Sequence, residues 1–162
     1  MKNIFPVFLN VALIFFFASC KKDGELDNYF IKGSFNGELK NFSGPSVQKT
    51  NSGDTSYSMT ISSYEGFTIT MFSEKDDFQA GKTFGVGHAI MELTGGGFVG
   101  NPYDFWSSSY LGVSETLGIT ITKATSTYVK GTFSGILYYQ NSYSNPPESQ
   151  HVSEGSFAAR YY

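Results

Sequence analysis

The chain has 162 residues and a net charge of −3; only 15% of its residues are charged, against 17% that are aromatic. A mildly acidic chain without a basic stripe or cluster is not built to bind nucleic acid. With one cysteine it has no disulfide scaffold, and it is poor in the residues that fill long helices.

The chain opens on Lys2, an apolar run from Ile4 to Phe17, and the small residues Ala18 and Ser19 before Cys20. A basic start, a hydrophobic stretch and a small-residue break are the parts of a secretory signal. The run is shorter than the roughly 20 residues a membrane-spanning helix needs, and Pro6 and Asn10 interrupt it. Phe17-Ala18-Ser19-Cys20 resembles the end of a bacterial lipoprotein signal peptide, whose cysteine thiol is lipidated and begins the mature chain. The resemblance implies a signal peptide over residues 1–19 and a membrane contact made by lipid on Cys20. Each buried acyl methylene contributes about 0.8 kcal/mol to such an anchor. Residues 21–28, Lys-Lys-Asp-Gly-Glu-Leu-Asp-Asn, are too charged to pack and read as a flexible tether. Their Lys-Lys-Asp start is similar to that of Bacteroidota lipoproteins. In those, a charged motif after the cysteine accompanies export to the outer face of the outer membrane. The implied location is the cell envelope, anchored in the outer membrane and either periplasmic or surface-exposed. A solvated spacer explains the same residues.

Residues 29–162 are the size of one domain with its own core. Strands favour threonine, isoleucine, valine, tyrosine and phenylalanine, and threonine, tyrosine and phenylalanine are abundant here. Tyr29, Ile31, Gly33 and Phe35 run into Asn36-Gly37, a strong hairpin signal because both residues tolerate positive φ, and Leu39 and Phe42 begin the return. Tyr57, Met59 and Ile61 alternate with polar residues, as do Phe67, Ile69 and Met71, with a turn at Glu65-Gly66 between the two runs. Ala89, Met91 and Leu93 form another such set, and Leu117, Ile119 and Ile121 a further one. Tyr128 to Gln140 is a long strand with Phe133, Leu137 and Tyr139 on one face and Ile136 and Tyr138 on the other. Asn145-Pro146-Pro147 breaks the ladder. Val152 and Phe157 differ in parity, so a bulge at Glu154-Gly155 is needed to bring both inward. The expected fold is all-β, one mostly antiparallel β-sandwich or flattened barrel of eight to ten strands.

Three closing segments carry a second resemblance: Leu117-Gly118-Ile119-Thr120-Ile121-Thr122-Lys123, Val129-Lys130-Gly131-Thr132-Phe133-Ser134-Gly135, and Val152-Ser153-Glu154-Gly155-Ser156-Phe157. They are similar to the carboxy-terminal signature of certain Bacteroidota lipoproteins of unknown function. The resemblance implies a lipid-anchored β-sandwich and carries no catalytic residues with it.

Apparent nucleotide motifs fail on context. Gly95, Gly97 and Gly100 have dinucleotide-loop spacing but lead into Asn101-Pro102 instead of a helix. Gly81-Lys82-Thr83 lacks the first glycine of a phosphate loop, that position being Asp76. His88 and His151 are the only histidines, and neither has zinc-ligand spacing. In a strand, His88 and Glu92 stand more than about 10 Å apart. Glu74, Asp76 and Asp77 offer oxygens of the kind calcium takes, but Lys75 sits among them and a solvated strand end explains them better. With Asp104 or Glu115 they could also supply the carboxylate pair of a glycosidase. No cofactor or metal is expected.

The stretch from Phe98 to Tyr110 concentrates aromatic rings among glycine, asparagine and serine. Tyr103, Asp104, Phe105, Trp106 and Tyr110 could stack on and hydrogen-bond a glycan, or the rings could fold back and cap the core. A ligand platform requires Trp106 to be exposed. An accessory protein requires it buried, with an apolar patch or an open strand edge left for a partner. The expectation is a membrane-anchored, non-catalytic binding or accessory module acting on a glycan or an envelope protein.

Overall fold

A computed structural model describes residues 28–53, 55–95, 104–109, 116–141 and 147–162. Among them run eleven strands and no helix: β1 (Phe30–Phe35), β2 (Glu38–Ser43), β3 (Ser46–Asn51), β4 (Tyr57–Ser62), β5 (Phe67–Ser73), β6 (Thr83–Gly85), β7 (Ala89–Thr94), β8 (Phe105–Ser107), β9 (Leu117–Ala124), β10 (Tyr128–Tyr139) and β11 (Ser149–Tyr161). The fold is all-β as expected. The strand count exceeds eight to ten because β6 and β8 have three residues each, too few for an alternating pattern to register.

All eleven strands belong to one sheet, ordered β2-β1-β11-β3-β4-β5-β7-β8-β10-β9-β6, and β10 also pairs with β11. That extra pairing folds the sheet back on itself. A regular barrel does not result, because β1–β2 and β9–β6 branch from β11 and β10 as flaps. Every neighbouring pair is antiparallel except β11 and β3, which meet in parallel at Arg160–Ser46 and Tyr161–Val47.

Alternation decides what goes inside. Met59 and Ile61 of β4, Phe67, Ile69 and Met71 of β5, and Met91 and Leu93 of β7 are fully buried. Each contributes roughly 1.5–3 kcal/mol by leaving water. The residues between them face out, where Thr60 and Thr70 bring their hydroxyls within 3.3 Å across the β4–β5 ladder. Phe67 lies 5.6 Å from Phe35 of β1, 4.9 Å from Phe42 of β2 and 5.4 Å from Phe133 of β10, ring centre to ring centre. None of those strands is a hydrogen-bonded neighbour of β5, so these contacts cross the core.

At the first hairpin, Asn36 and Gly37 both take positive φ (48° and 86°). The Asn36 backbone N–H donates to the His151 carbonyl and the Asn36 Oδ1 accepts from the His151 N–H, each at 2.8 Å. The turn thus ties β1–β2 to β11.

The expected bulge lies at Glu154. Phe133 pairs with Gly155 but Gly135 pairs with Val152, and Val152 and Phe157 are both buried. The strained φ of 52° falls on Glu154, not on the glycine. Gly155 is needed for space instead: a Cβ there would stand 2.4 Å from the Phe133 carbonyl oxygen and 2.5 Å from its ring. Replacing Gly155 by Ala is expected to destabilise the domain by about 1–3 kcal/mol, read as a fall in the urea midpoint at unchanged slope.

Candidate functional site

Strand β8 is what the aromatic segment becomes. Pairing with β7 through Leu93–Trp106 and with β10 through Tyr139–Trp106 turns the Trp106 ring inward. Trp106 is 8% exposed and packs at 5.0 Å on Tyr139. So enclosed, the Trp106 ring does not present the exposed face that the glycan-stacking reading asks for. Asp104 is half-buried and accepts a 3.0 Å hydrogen bond from the Tyr139 hydroxyl. That bond, with some burial, holds the Tyr139 phenol above its ordinary value. Phe105 is half-buried. Tyr103 and Tyr110, like Cys20, lie outside the described residues.

The serines beyond Trp106 carry more than a loop would ask of them. Ser107 and Ser108 are buried, and Ser108 clasps Met91: its N–H donates to the Met91 carbonyl and its Oγ accepts from the Met91 N–H, both at 2.8 Å.

The acidic cluster after β5 is tied to lysines. Asp76 pairs with Lys49 at 2.9 Å, and Asp77 takes hydrogen bonds from Lys82 and, at 2.7 Å, from the Ser73 hydroxyl. The Lys82 ammonium, and then Ser73, hold the Asp77 carboxyl below its usual range. His88 and Glu74 join Asp77 and Lys82 around a polar cleft of about 450 Å³. Among the described residues no three histidine, cysteine or acidic side chains converge as a metal site.

A second groove, of about 410 Å³, is lined by Tyr29, Pro45, Tyr64, Arg160, Tyr161 and Tyr162. Antiparallel pairing of β1 with β11 sets Tyr29 near Arg160, and parallel pairing of β11 with β3 sets Arg160 and Tyr161 beside Ser46 and Val47. Tyr64 arrives on the β4–β5 turn. Its N–H donates to the Ser43 carbonyl at 3.2 Å, and its ring lies so close over Gly44 that a Cβ there would fall 2.0 Å from it. Gly44 also has a φ of 58°, which a side chain resists. Glu65 completes the turn by accepting from the Ser43 N–H at 2.8 Å and from the Ser43 hydroxyl.

Tyr64 is 80% and Tyr162 95% exposed. The Tyr29 hydroxyl is shut off from solvent and has no hydrogen-bond partner among the described residues, an unusual state for a buried polar group. Burial, aided by Asp76, raises the Tyr161 phenol, over whose ring Lys49 sits at 5.8 Å. The groove therefore offers flat rings, hydroxyl tips and one guanidinium, the equipment of a binding surface. Sequence reasoning did not find it. The exposed Tyr64 in a turn was the one local hint, and nothing local joins it to residues 29 and 160–162.

Comparison with protein-family models, with curated proteins and with solved structures finds no match to this chain.

Truncating Trp106 to Ala is expected to cost about 3–5 kcal/mol, seen as a lowered thermal midpoint. The Glu65 clasp yields a pH dependence. Burial raises the Glu65 pKa, but the hydrogen bonds from the Ser43 hydroxyl, from its own backbone N–H and from the Ser43 N–H together outweigh it and leave the carboxyl below its ordinary 4.5. The stabilisation is present above that pH and is lost as pH falls through the folded value. Glu65→Gln is expected to lower stability by about 0.5–1 kcal/mol at neutral pH, and the gap between parent and variant in urea titrations closes in acid.

Proposed function

We propose that this chain is a bacterial cell-envelope lipoprotein, held in the outer membrane by lipid on Cys20, whose β domain is a non-catalytic binding or accessory module. The front end supports the anchor: a basic start, an apolar run and small residues before a lone cysteine, followed by a charged tether. The resemblance to Bacteroidota lipoproteins points the same way.

The observation that carries the accessory reading is the buried Trp106 together with an open sheet edge. Strand β2 ends the sheet. Its outer edge is clasped at Ser43 by the β4–β5 turn, and further along it Leu39 is 73% exposed. An edge of this kind can pair with a strand of another protein, and an envelope protein is the partner the reading names. Several acids that hydrolysis would call on already serve structure: Asp76 and Asp77 bind lysines and Asp104 binds Tyr139. The glycan reading, which depended on Trp106 as a stacking ring, is the weaker of the two.

Palmitate labelling and membrane fractionation test the anchor. Wild-type protein is expected to take the label and sediment with the outer membrane, and Cys20→Ser to lose both; an unlabelled wild type would refute the anchor. A photo-crosslinker in place of Leu39 tests the edge, and the expected outcome is one discrete adduct with an envelope protein in intact cells.

A further inference from the structure

We infer that the tyrosine-lined groove rests on the phospholipid headgroups of the membrane that holds the Cys20 lipid; the inference builds on the anchor proposed above. Tyr29, one wall of the groove, directly follows the tether of residues 21–28. Eight residues reach at most about 28 Å when fully extended, so the groove belongs to the part of the domain held nearest the bilayer.

The lining suits that place. Tyr29, Tyr64, Tyr161 and Tyr162 are amphipathic rings, apolar in body and wet at the tip, the character found at membrane interfaces. Of the large hydrophobic side chains that stand exposed among the described residues, the two most exposed, Tyr162 and Tyr64, are both here. The one charged side chain in the lining is that of Arg160, of the sign that anionic headgroups attract. No aspartate or glutamate side chain joins it in the lining, although acidic side chains outnumber basic ones in the chain, 14 to 11.

Docking would also fix how the domain stands. The β1–β2 hairpin runs from the groove, where Tyr29 and Gly44 lie, to its turn at Asn36-Gly37. Six residues of strand carry that turn about 20 Å away. The open edge of β2 then rises from the membrane with Leu39 clear of the headgroups, where a partner can reach it.

The test uses the full lipidated protein in phosphatidylethanolamine–phosphatidylglycerol vesicles that contain a headgroup spin-labelled lipid. A tryptophan reporter is placed in the groove by Tyr64→Trp or on the β2 edge by Leu39→Trp, with the parent subtracted. The expected result is loss of emission from the groove reporter and unchanged emission from the edge reporter. Adding Tyr162→Ser and Arg160→Gln to the groove-reporter chain is expected to restore its emission. Equal quenching of both reporters, or of neither, in protein that floats with the vesicles overturns the docking and leaves the anchor standing. Protein that fails to float overturns both. A groove reporter that responds in full to soluble glycerol phosphate without vesicles overturns the membrane as occupant and marks a small-molecule site.

Discussion

The contacts of Phe67 with Phe35, Phe42 and Phe133 join strands that no hydrogen bond connects. The β10–β11 ladder turns the sheet back on itself, and these ring contacts fill the interior so formed. Such aromatic pairs contribute about 0.5–1.5 kcal/mol each beyond the area they bury. They need room, and glycines provide it. Gly155 accepts the Phe133 ring, and Gly131 accepts that of Phe157, where an added Cβ would meet ring carbon at 2.3 Å. Gly131 and Gly155 are thus spaces cut for particular phenylalanines, not points of flexibility.

The same packing delivers the surfaces offered for binding. Bringing β5 against β1 and β2 places the β4–β5 turn over the end of β2, where Glu65 and Tyr64 take up the Ser43 backbone and the Tyr64 ring covers Gly44. That clasp closes one end of the sheet's edge strand and builds one wall of the tyrosine groove. Protection of an edge, a common need of β proteins, and construction of a candidate site are here one arrangement of residues.

Charge has a minor role inside this domain. The ion pairs Lys40–Glu38, Lys49–Asp76 and Lys82–Asp77 lie at or near the surface, where each contributes about 0–1 kcal/mol. They position loops and neutralise acids; the aliphatic and aromatic core supplies the stability.

The long alternating runs told the fold in advance. Period-two patterns over Tyr57 to Ile61, Phe67 to Met71 and Leu117 to Ile121 decide which face is buried, whatever the partners. Asn36-Gly37 marks a turn, and the parity conflict between Val152 and Phe157 demands a bulge, because these are local properties of a pleated chain. Which face Trp106 takes was not legible. A strand of three residues has no period, and its inward turn comes from pairing with β7 and β10. Nor was the groove legible, since Tyr29, Tyr64 and Tyr161 meet only after β11 lies between β1 and β3. The chain by itself determined the strands, the turns and the inward faces; the closure of the sheet decided which exposed tyrosines share one surface, because distant residues become neighbours only through long-range pairing.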